Sequence, residues 1–313
     1  VNTANAVTQK YFRKQLVDAW ANPSPTWWRL TRLGIKQDGA ASIVVPISAA
    51  EETTGGAYWG ANVLDTTIVD SVQPAEWQWK HYYQSIVVPY TDVLFNGGET
   101  KVLDLIKVKE EVAMASLLQK LSRAAYDVTP QNTSLDMDSL VDGVGSFTNT
   151  YAGIDRSVAA NAFWKPGGSA GAAVAEGGPL ELSTMQTAYG NVTFGNEEPG
   201  TILTTQAIFN QYWNLLVPRI QYERDEETTR MGFKRHLMLN NAVVLHDFFV
   251  PAQTAYVLNE KYICLYFLDK DYFVIDPFIR PSNQRVLISG IFVTLNLAIL
   301  NPRMHTVITG ITG

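Results

Sequence analysis

Hydrophobic and polar residues alternate along this chain with more than one period. In NAVTQKYFRKQLVDAW, residues 5–20, Val7, Tyr11, Phe12, Leu16, Ala19 and Trp20 recur near helical spacing, with the basic residues largely on the other face. That pattern predicts an amphipathic helix. Pro23 and Pro25 end it, so the segment reads as an arm followed by a bend. SIVVPI (42–47) and WQWKHYYQSIVV (77–88) read as strands; in the second, Trp77, Trp79, His81 and Tyr83 alternate with Gln78, Lys80, Tyr82 and Gln84. Between them lie about 30 mostly polar residues with Gly55, Gly56 and Gly60. A structureless loop that long is uncommon inside a compact domain, so the two strands predict a hairpin that projects from the body and needs a partner to pack on.

Further along, Asn96, Gly97 and Gly98 break the strand and open a helix, with Glu99 placed for its N-terminal dipole. Val102, Leu105, Ile106, Val112, Ala113, Leu117, Leu121 and Ala124 form one broad apolar face. From Glu99 to Tyr126 this helix spans roughly 40 Å at 1.5 Å per residue. GGSAGAAVAEGG (167–178) reads as a loop. LSTMQTAYGNV and TTQAIFNQYWNLLVP read as helices flanking the short buried strand TILT, and VVLHDFFV, AYVLNEKYICLYF and RVLISGIFVTLNLAIL read as strands. In the last, Ile291, Val293, Leu295, Leu297 and Ile299 form one apolar face. The fold class is α+β.

Composition adds one suspicion. Charged residues make up 17% of the 313, against roughly 25% in ordinary soluble domains. Eight Trp, 14 Tyr and 13 Phe suit either an aromatic-rich core or burial against other chains. The net charge of −6 is unevenly spread. Residues 1–36 carry Lys10, Arg13, Lys14, Arg29, Arg32 and Lys36 against Asp18, whereas 37–79 carry Asp38, Glu51, Glu52, Asp65, Asp70 and Glu76 with no Lys or Arg. The single cysteine, Cys264, excludes an intrachain disulfide framework and reads as a buried thiol. No apolar run is long enough for a membrane span, and no signal peptide is visible.

Chemistry is hard to find. His81, His236, His246 and His305 stand at no metal-ligand spacing. FNGGETK falls short of a phosphate loop, and Asp136 and Asp138 would diverge on a helix. No nucleophile elbow is present, and ERDEETTR (223–230) reads as a solvated surface. His246 and Asp247 leave a hydrolase as the remote enzymatic alternative. No cofactor or metal is expected.

One stretch stands apart: YAGIDRSVAANAFW, 151–164, with Asp155 and Arg156 behind a glycine and a closing aromatic. In order with the acidic hairpin ending in WQWKHYYQSIVVPYTDVLFNGGETKVLDLIKVK, the helix-strand-helix LSTMQTAYGNVTFGNEEPGTILTTQAIFNQYW, and MGFKRHLMLNNAVVLHDFFVPAQTAYVLNEKYICL, it resembles the major capsid proteins of tailed bacteriophages. These have the Hong Kong ninety-seven type of fold, and many show a Gly-Gly-Ile-Asp-Arg signature whose first glycine is Ala152 here. The resemblance covers roughly residues 35–300.

The resemblance implies an N-terminal arm (1–39), an extended loop (40–90) and a spine helix with the first part of a peripheral domain (91–150). A mainly axial domain (151–280) and a closing strand returning to the peripheral domain (281–313) would follow. It implies hexamers and pentamers closing an icosahedral head around double-stranded DNA, assembled in the host bacterial cytoplasm and located in the virion. Decoration or cement, scaffolding and portal proteins are expected partners, DNA contact is expected to be weak and non-specific, and no membrane is involved. An encapsulin-type compartment is the alternative.

Some relatives of this fold weld subunits through an extended-loop lysine; this chain has none between Lys36 and Lys80, so no such crosslink is expected. Charge pairing is expected instead, between Glu51, Glu52, Asp65 and Asp70 of the loop and the arm's Lys10, Arg13, Lys14, Arg29 and Arg32. Asp155 and Arg156 are expected either to clamp a carboxylate in assembly or folding, or to form a local Asp turn with a solvent-facing Arg.

Overall fold

The computed structural model describes residues 24–51, 54–68, 71–95, 105–127, 135–216 and 237–312. The amphipathic segment 5–20, the helix opening at 96–104 and the ERDEETTR run lie outside the described residues.

The first helix among the described residues, α1 (Pro25–Arg32), begins where the sequence predicts a bend. Pro25 occupies the first helical turn, where its missing N–H costs nothing, and the Ser24 hydroxyl accepts from the Trp27 amide at 3.1 Å. The proline starts a helix. After β1 (Ile35–Gln37), strands β2 (Ser42–Ser48) and β3 (Val72–Gln78) form an antiparallel hairpin as a separate two-stranded sheet, to which the expected second strand 77–88 contributes only Trp77 and Gln78.

β3 does not run straight into its successor. The chain breaks at Trp79, and β4 (Lys80–Pro89) resumes with the opposite phase. Trp77 is buried in β3, whereas Ile86 and Val88 are buried in β4, leaving His81 and Tyr83 outside. The aromatic alternation from Trp77 to Tyr83 therefore spans two strands with inverted faces. Beyond β4 come α2 (Tyr90–Phe95) and α3 (Leu105–Ala124), the long helix, with Leu117 and Leu121 inward. A single π-helical turn follows at Val141–Gly145, then β5 (Thr150–Tyr151), β6 (Ile154–Asp155) and β7 (Val174–Ala175).

Helices α4 (Leu182–Asn191) and α5 (Gln206–Leu216) flank β8 (Thr201–Thr204) as expected. Strands β9 (Leu237–Leu239), β10 (Ala242–His246), β11 (Ala255–Leu258), β12 (Ile263–Leu268) and β13 (Val274–Ile275) precede β14 (Val286–Ile299) and β15 (Thr306–Thr309). The expected strand AYVLNEKYICLYF is two strands, β11 and β12, separated by a 3-10 turn at Glu260–Tyr262 and belonging to different sheets.

One sheet runs β1-β12-β14-β13, with β4 also paired to β14; the other runs β7-β15-β11-β8-β10-β9. The second sheet is buried on both faces. Leu203, Val243, Leu245 and Tyr256 face a core shared with β14, α1 and α3, while Ile202, Val244, Ala255 and Val257 face a core under α4 and α5. β12 and β13, within 151–280, pair with β14 in the first sheet, and β15, within 281–313, pairs with β11 in the second.

Candidate functional site

The segment 150–164 folds from its own turn outward. β5 and β6 pair across a two-residue turn in which Ala152 (φ 52°) and Gly153 (φ 79°) both take left-handed backbone. A two-residue hairpin turn of this kind demands positive φ at both positions. Ala152 therefore carries a Cβ where glycine is favoured, at a cost of about 1 kcal/mol.

Arg156 then points inward and is wholly buried. Its Nε donates to the Trp164 carbonyl at 2.9 Å, Nη1 to the carbonyls of Asp142 and Ser146 at 2.8 Å and to Asn149 Oδ1 at 3.1 Å, and Nη2 to the Gly143 carbonyl at 2.9 Å. A π-helical turn leaves carbonyls without amide partners, and the guanidinium fork supplies them. Burial brings its pKa down to about 10, so it stays charged at neutral pH. Arg156 clamps carbonyls and no carboxylate, and these bonds all lie within its own chain. Asp155 makes the local turn, its Oδ1 accepting from the Ser157 amide at 2.8 Å, which lowers its pKa. The two expectations for the pair are thus divided between its members.

What this knot holds is the root of the hairpin. Trp77, at the end of β3, is buried with its ring centre 6.0 Å from that of Tyr151 and 6.4 Å from that of Trp164. Trp164 Nε1 donates to the Tyr151 carbonyl at 3.0 Å, and the Tyr151 hydroxyl accepts from the Ile299 amide at 3.0 Å. The Glu76 amide donates to the Ala152 carbonyl at 3.0 Å. Gly143 lies so close to Ile299 that an added Cβ would fall 2.1 Å from its Cδ1. The signature segment is a rivet joining the hairpin root, the π-helical turn and the closing strand.

A second fastening, which alternation could not reveal, sits at Trp79. Asn296, read as a polar-face residue, is wholly buried: its Nδ2 donates to the Gln78 carbonyl at 2.8 Å and to Asp138 Oδ2 at 3.1 Å, and its Oδ1 accepts from the Asp138 amide at 2.9 Å. The Tyr82 hydroxyl accepts from the Met137 amide at 2.8 Å and donates to Asp136 at 3.2 Å. Asp136 and Asp138 thus belong to structure at the hairpin root. Burial raises the Asp138 pKa to about 6, against the opposing pull of the Asn296 hydrogen bond and Lys80.

The far end of the hairpin is the reverse of its root. Every described residue from 55 to 68 is exposed, including Trp59 at 88%, Val63 at 98% and Ile68 at 95%. Side chains of this kind left in water mark a surface meant to be covered. Glu51 and Asp65 are exposed beside them, and Asp65 is held below its usual pKa by Thr67. Lys10, Arg13, Lys14, Glu52 and Asp70 lie outside the described residues. Arg29 is mostly buried and bonded within its own chain to Glu260 and Thr201, so it is not a free arm cation. Arg32 is exposed and lies over Trp28.

Asp247 is buried and accepts from Ser24, from the Thr26 amide at 3.3 Å and from the Phe249 amide at 3.1 Å, which fixes the start of α1 to the end of β10. The His246 ring packs 5.3 Å from Phe209.

No family model matches the sequence, and no curated protein is similar to it by sequence. Solved structures are similar along the whole chain. The capsid of cyanophage A-1(L) superposes with a TM-score of 0.70 at 18% identity, over 98% of both chains. The capsid of a native GTA particle does so at 0.67 and 8% identity, over 99% of this chain and 98% of that one. The chain has the Hong Kong ninety-seven type capsid fold. The holo-SrpI encapsulin complex from Synechococcus elongatus shares that fold at a TM-score of 0.65 and 9% identity, over 98% of this chain and 94% of the other. Identities this low fix the path of the capsid fold and leave residue roles to the geometry above.

Proposed function

We propose that this chain is the major capsid protein of a tailed double-stranded DNA phage, forming hexamers and pentamers that close into an icosahedral head. The observation that carries the reading is the chain-long capsid fold together with a hairpin whose root is locked and whose apolar tip stands in water. A tip with Val63 and Ile68 almost fully exposed suits a protein whose working form is an assembly.

In this reading β2 and β3 belong to the extended loop, α3 is the spine helix, the sheet centred on β14 belongs to the peripheral domain and the sheet centred on β8 to the axial domain. The reading assigns the chain a structural role and no catalytic step. Its partners are copies of itself, then portal, scaffolding and decoration proteins; DNA contact is weak and non-specific. Assembly takes place in the bacterial host's cytoplasm, and the product is the virion shell.

Electron microscopy of the full-length protein expressed in bacteria, with light scattering across salt and concentration, tests the proposal. Closed shells or ring-shaped capsomers are expected; a monodisperse monomer or dimer, unchanged when co-expressed with phage scaffolding protein, overturns it. The encapsulin likeness makes contents the second readout: protein cargo inside purified shells in place of DNA-packaging competence would move the assignment to a compartment.

A further inference from the structure

Two Asp-Gly steps occur in the chain, Asp38-Gly39 and Asp142-Gly143, and the fold treats them in opposite ways. An aspartate followed by glycine is able to react with itself. The glycine amide nitrogen attacks the side-chain carboxyl carbon, an approach that the Cβ of any other residue hinders. Both the carboxyl and the amide must be free to move, so local structure decides where the reaction runs.

Asp142-Gly143 is closed to it. The step lies in the π-helical turn, where the Gly143 amide donates to the Ser139 carbonyl at 3.0 Å. Asp142 Oδ2 accepts from the Ser139 amide at 3.1 Å and from the Ser139 hydroxyl at 2.8 Å. Arg156 and Asn149 hold the Asp142 carbonyl, and Ile299 packs against Gly143. Attack there would have to dismantle the turn.

Asp38-Gly39 is open. Residues 38–41 connect β1 to β2 outside any helix or strand, and all four are exposed. Gly39 has φ 70°, and a Cβ placed on it would meet nothing within 4 Å. Among the described residues no hydrogen bond engages its amide. The Asp38 carboxylate faces Lys270 at 3.5 Å, with both side chains exposed, a screened pair that holds it weakly.

We infer that Asp38 is a self-modification site, passing through a succinimide to isoaspartate, and that Asp142 is spared. A bond forms between Gly39 N and Asp38 Cγ while the amide proton and the carboxyl hydroxyl leave as water. Water then opens the ring. Where it adds to the former main-chain carbonyl, the bond from that carbon to Gly39 N breaks, and the main chain runs through Cβ and Cγ of residue 38. Water is the only co-reactant.

The change falls on the leg that enters the hairpin. Lys36 with Asp269 at 3.9 Å, and Asp38 with Lys270, seat this leg on the turn Asp269–Asp271. Trp79 Nε1 donates to the Ala40 carbonyl at 2.9 Å, tying the same leg to the chain break after β3. Isomerisation lengthens the main chain here by one carbon and draws the carboxylate back from Lys270. None of this depends on the shell reading.

The test incubates the full-length protein, native and urea-unfolded, in heavy-oxygen water at mildly acidic pH. Incubation runs until the unfolded sample carries isoaspartate at both 38 and 142. Peptide mapping by mass spectrometry then reads each position and separates Asn96-Gly97, which lies outside the described residues. The native chain is expected to gain isoaspartate and heavy oxygen at 38 at a rate close to that of the unfolded chain, and none at 142. Asp38→Glu keeps a carboxylate opposite Lys270 but would need a larger, slowly closing ring; its 38–39 peptide is expected to lose the product. A native chain unmodified at 38, equal modification at 38 and 142, or product persisting in Asp38→Glu overturns the inference.

Discussion

The Arg156 guanidinium lies 4.7 Å from the centre of the Tyr151 ring, and both side chains are buried. The cation caps the carbonyls of a π-helical turn while the ring beneath it braces Trp77. One residue therefore ties a local backbone irregularity to the root of a hairpin whose tip stands in solvent.

Removing that cation takes a buried donor from the carbonyls of Asp142, Gly143, Ser146 and Trp164, of which Asp142 keeps Asn149 Nδ2. Arg156→Met should destabilise the chain by about 3–5 kcal/mol, the range for breaking a buried charged network. Arg156→Lys should recover little, since one ammonium cannot span the fork. Asp155→Ala, which loses one exposed turn bond, should cost far less. Denaturant midpoints of the three variants check the order; equal losses at 155 and 156 would contradict it.

His305 makes stability acid-sensitive. It is wholly buried, and its Nδ1 accepts from the Asn259 amide at 3.2 Å, so the neutral ring carries its proton on Nε2. Burial lowers its pKa to about 3. A folded-state pKa below the unfolded value means the unfolded chain binds the proton first. Stability is thus complete above about pH 6.5 and falls by up to about 1.4 kcal/mol per pH unit toward pH 3. His305→Gln keeps an acceptor and does not titrate; its denaturant midpoint should fall less steeply between pH 6.5 and 4. Parallel wild-type and variant slopes would refute the assignment.

Asp138 works in the opposite direction. Its pKa is raised to about 6 in the folded state, so folding favours the protonated acid. Its contribution is complete below about pH 4 and is lost as pH rises through 6. Asp138→Asn keeps an oxygen to accept from Asn296 and removes the buried charge. The variant should be more stable than wild type by up to about 3 kcal/mol at pH 7 and no more stable at pH 4. A gain of the same size at both pH values would point to packing instead.

Sequence periodicity carried most of the elements and little of their fastening. β14 was expected as one long strand with Ile291 to Ile299 inward, and it is. Thr294 and Asn296 are buried as well, because β14 sits inside a sheet covered on both sides there, and alternation reports one covered face. The break at Trp79 was hidden because aromatics occupy both the inward Trp77 and the outward Tyr83. α1 was missed because Pro25 was read as a stop. Arg156 was singled out in the sequence, but its carbonyl partners come from a π-helical turn and a 3-10 segment, neither of which has a periodic signature.

The loop tip separates folding from assembly. Val63 and Ile68 are 98% and 95% exposed, so replacing both with Ser removes almost nothing from the monomer's core. Val63→Ser/Ile68→Ser should melt within about 0.5 kcal/mol of wild type, as surface substitutions do. On the shell reading the same side chains become buried at every copy of the interface, where burying each would contribute about 1.5–3 kcal/mol. Particle yield by sedimentation should therefore collapse while the melting curve stays in place. Loss of both together would place the tip inside the monomer fold, and retention of both would leave it without a partner surface.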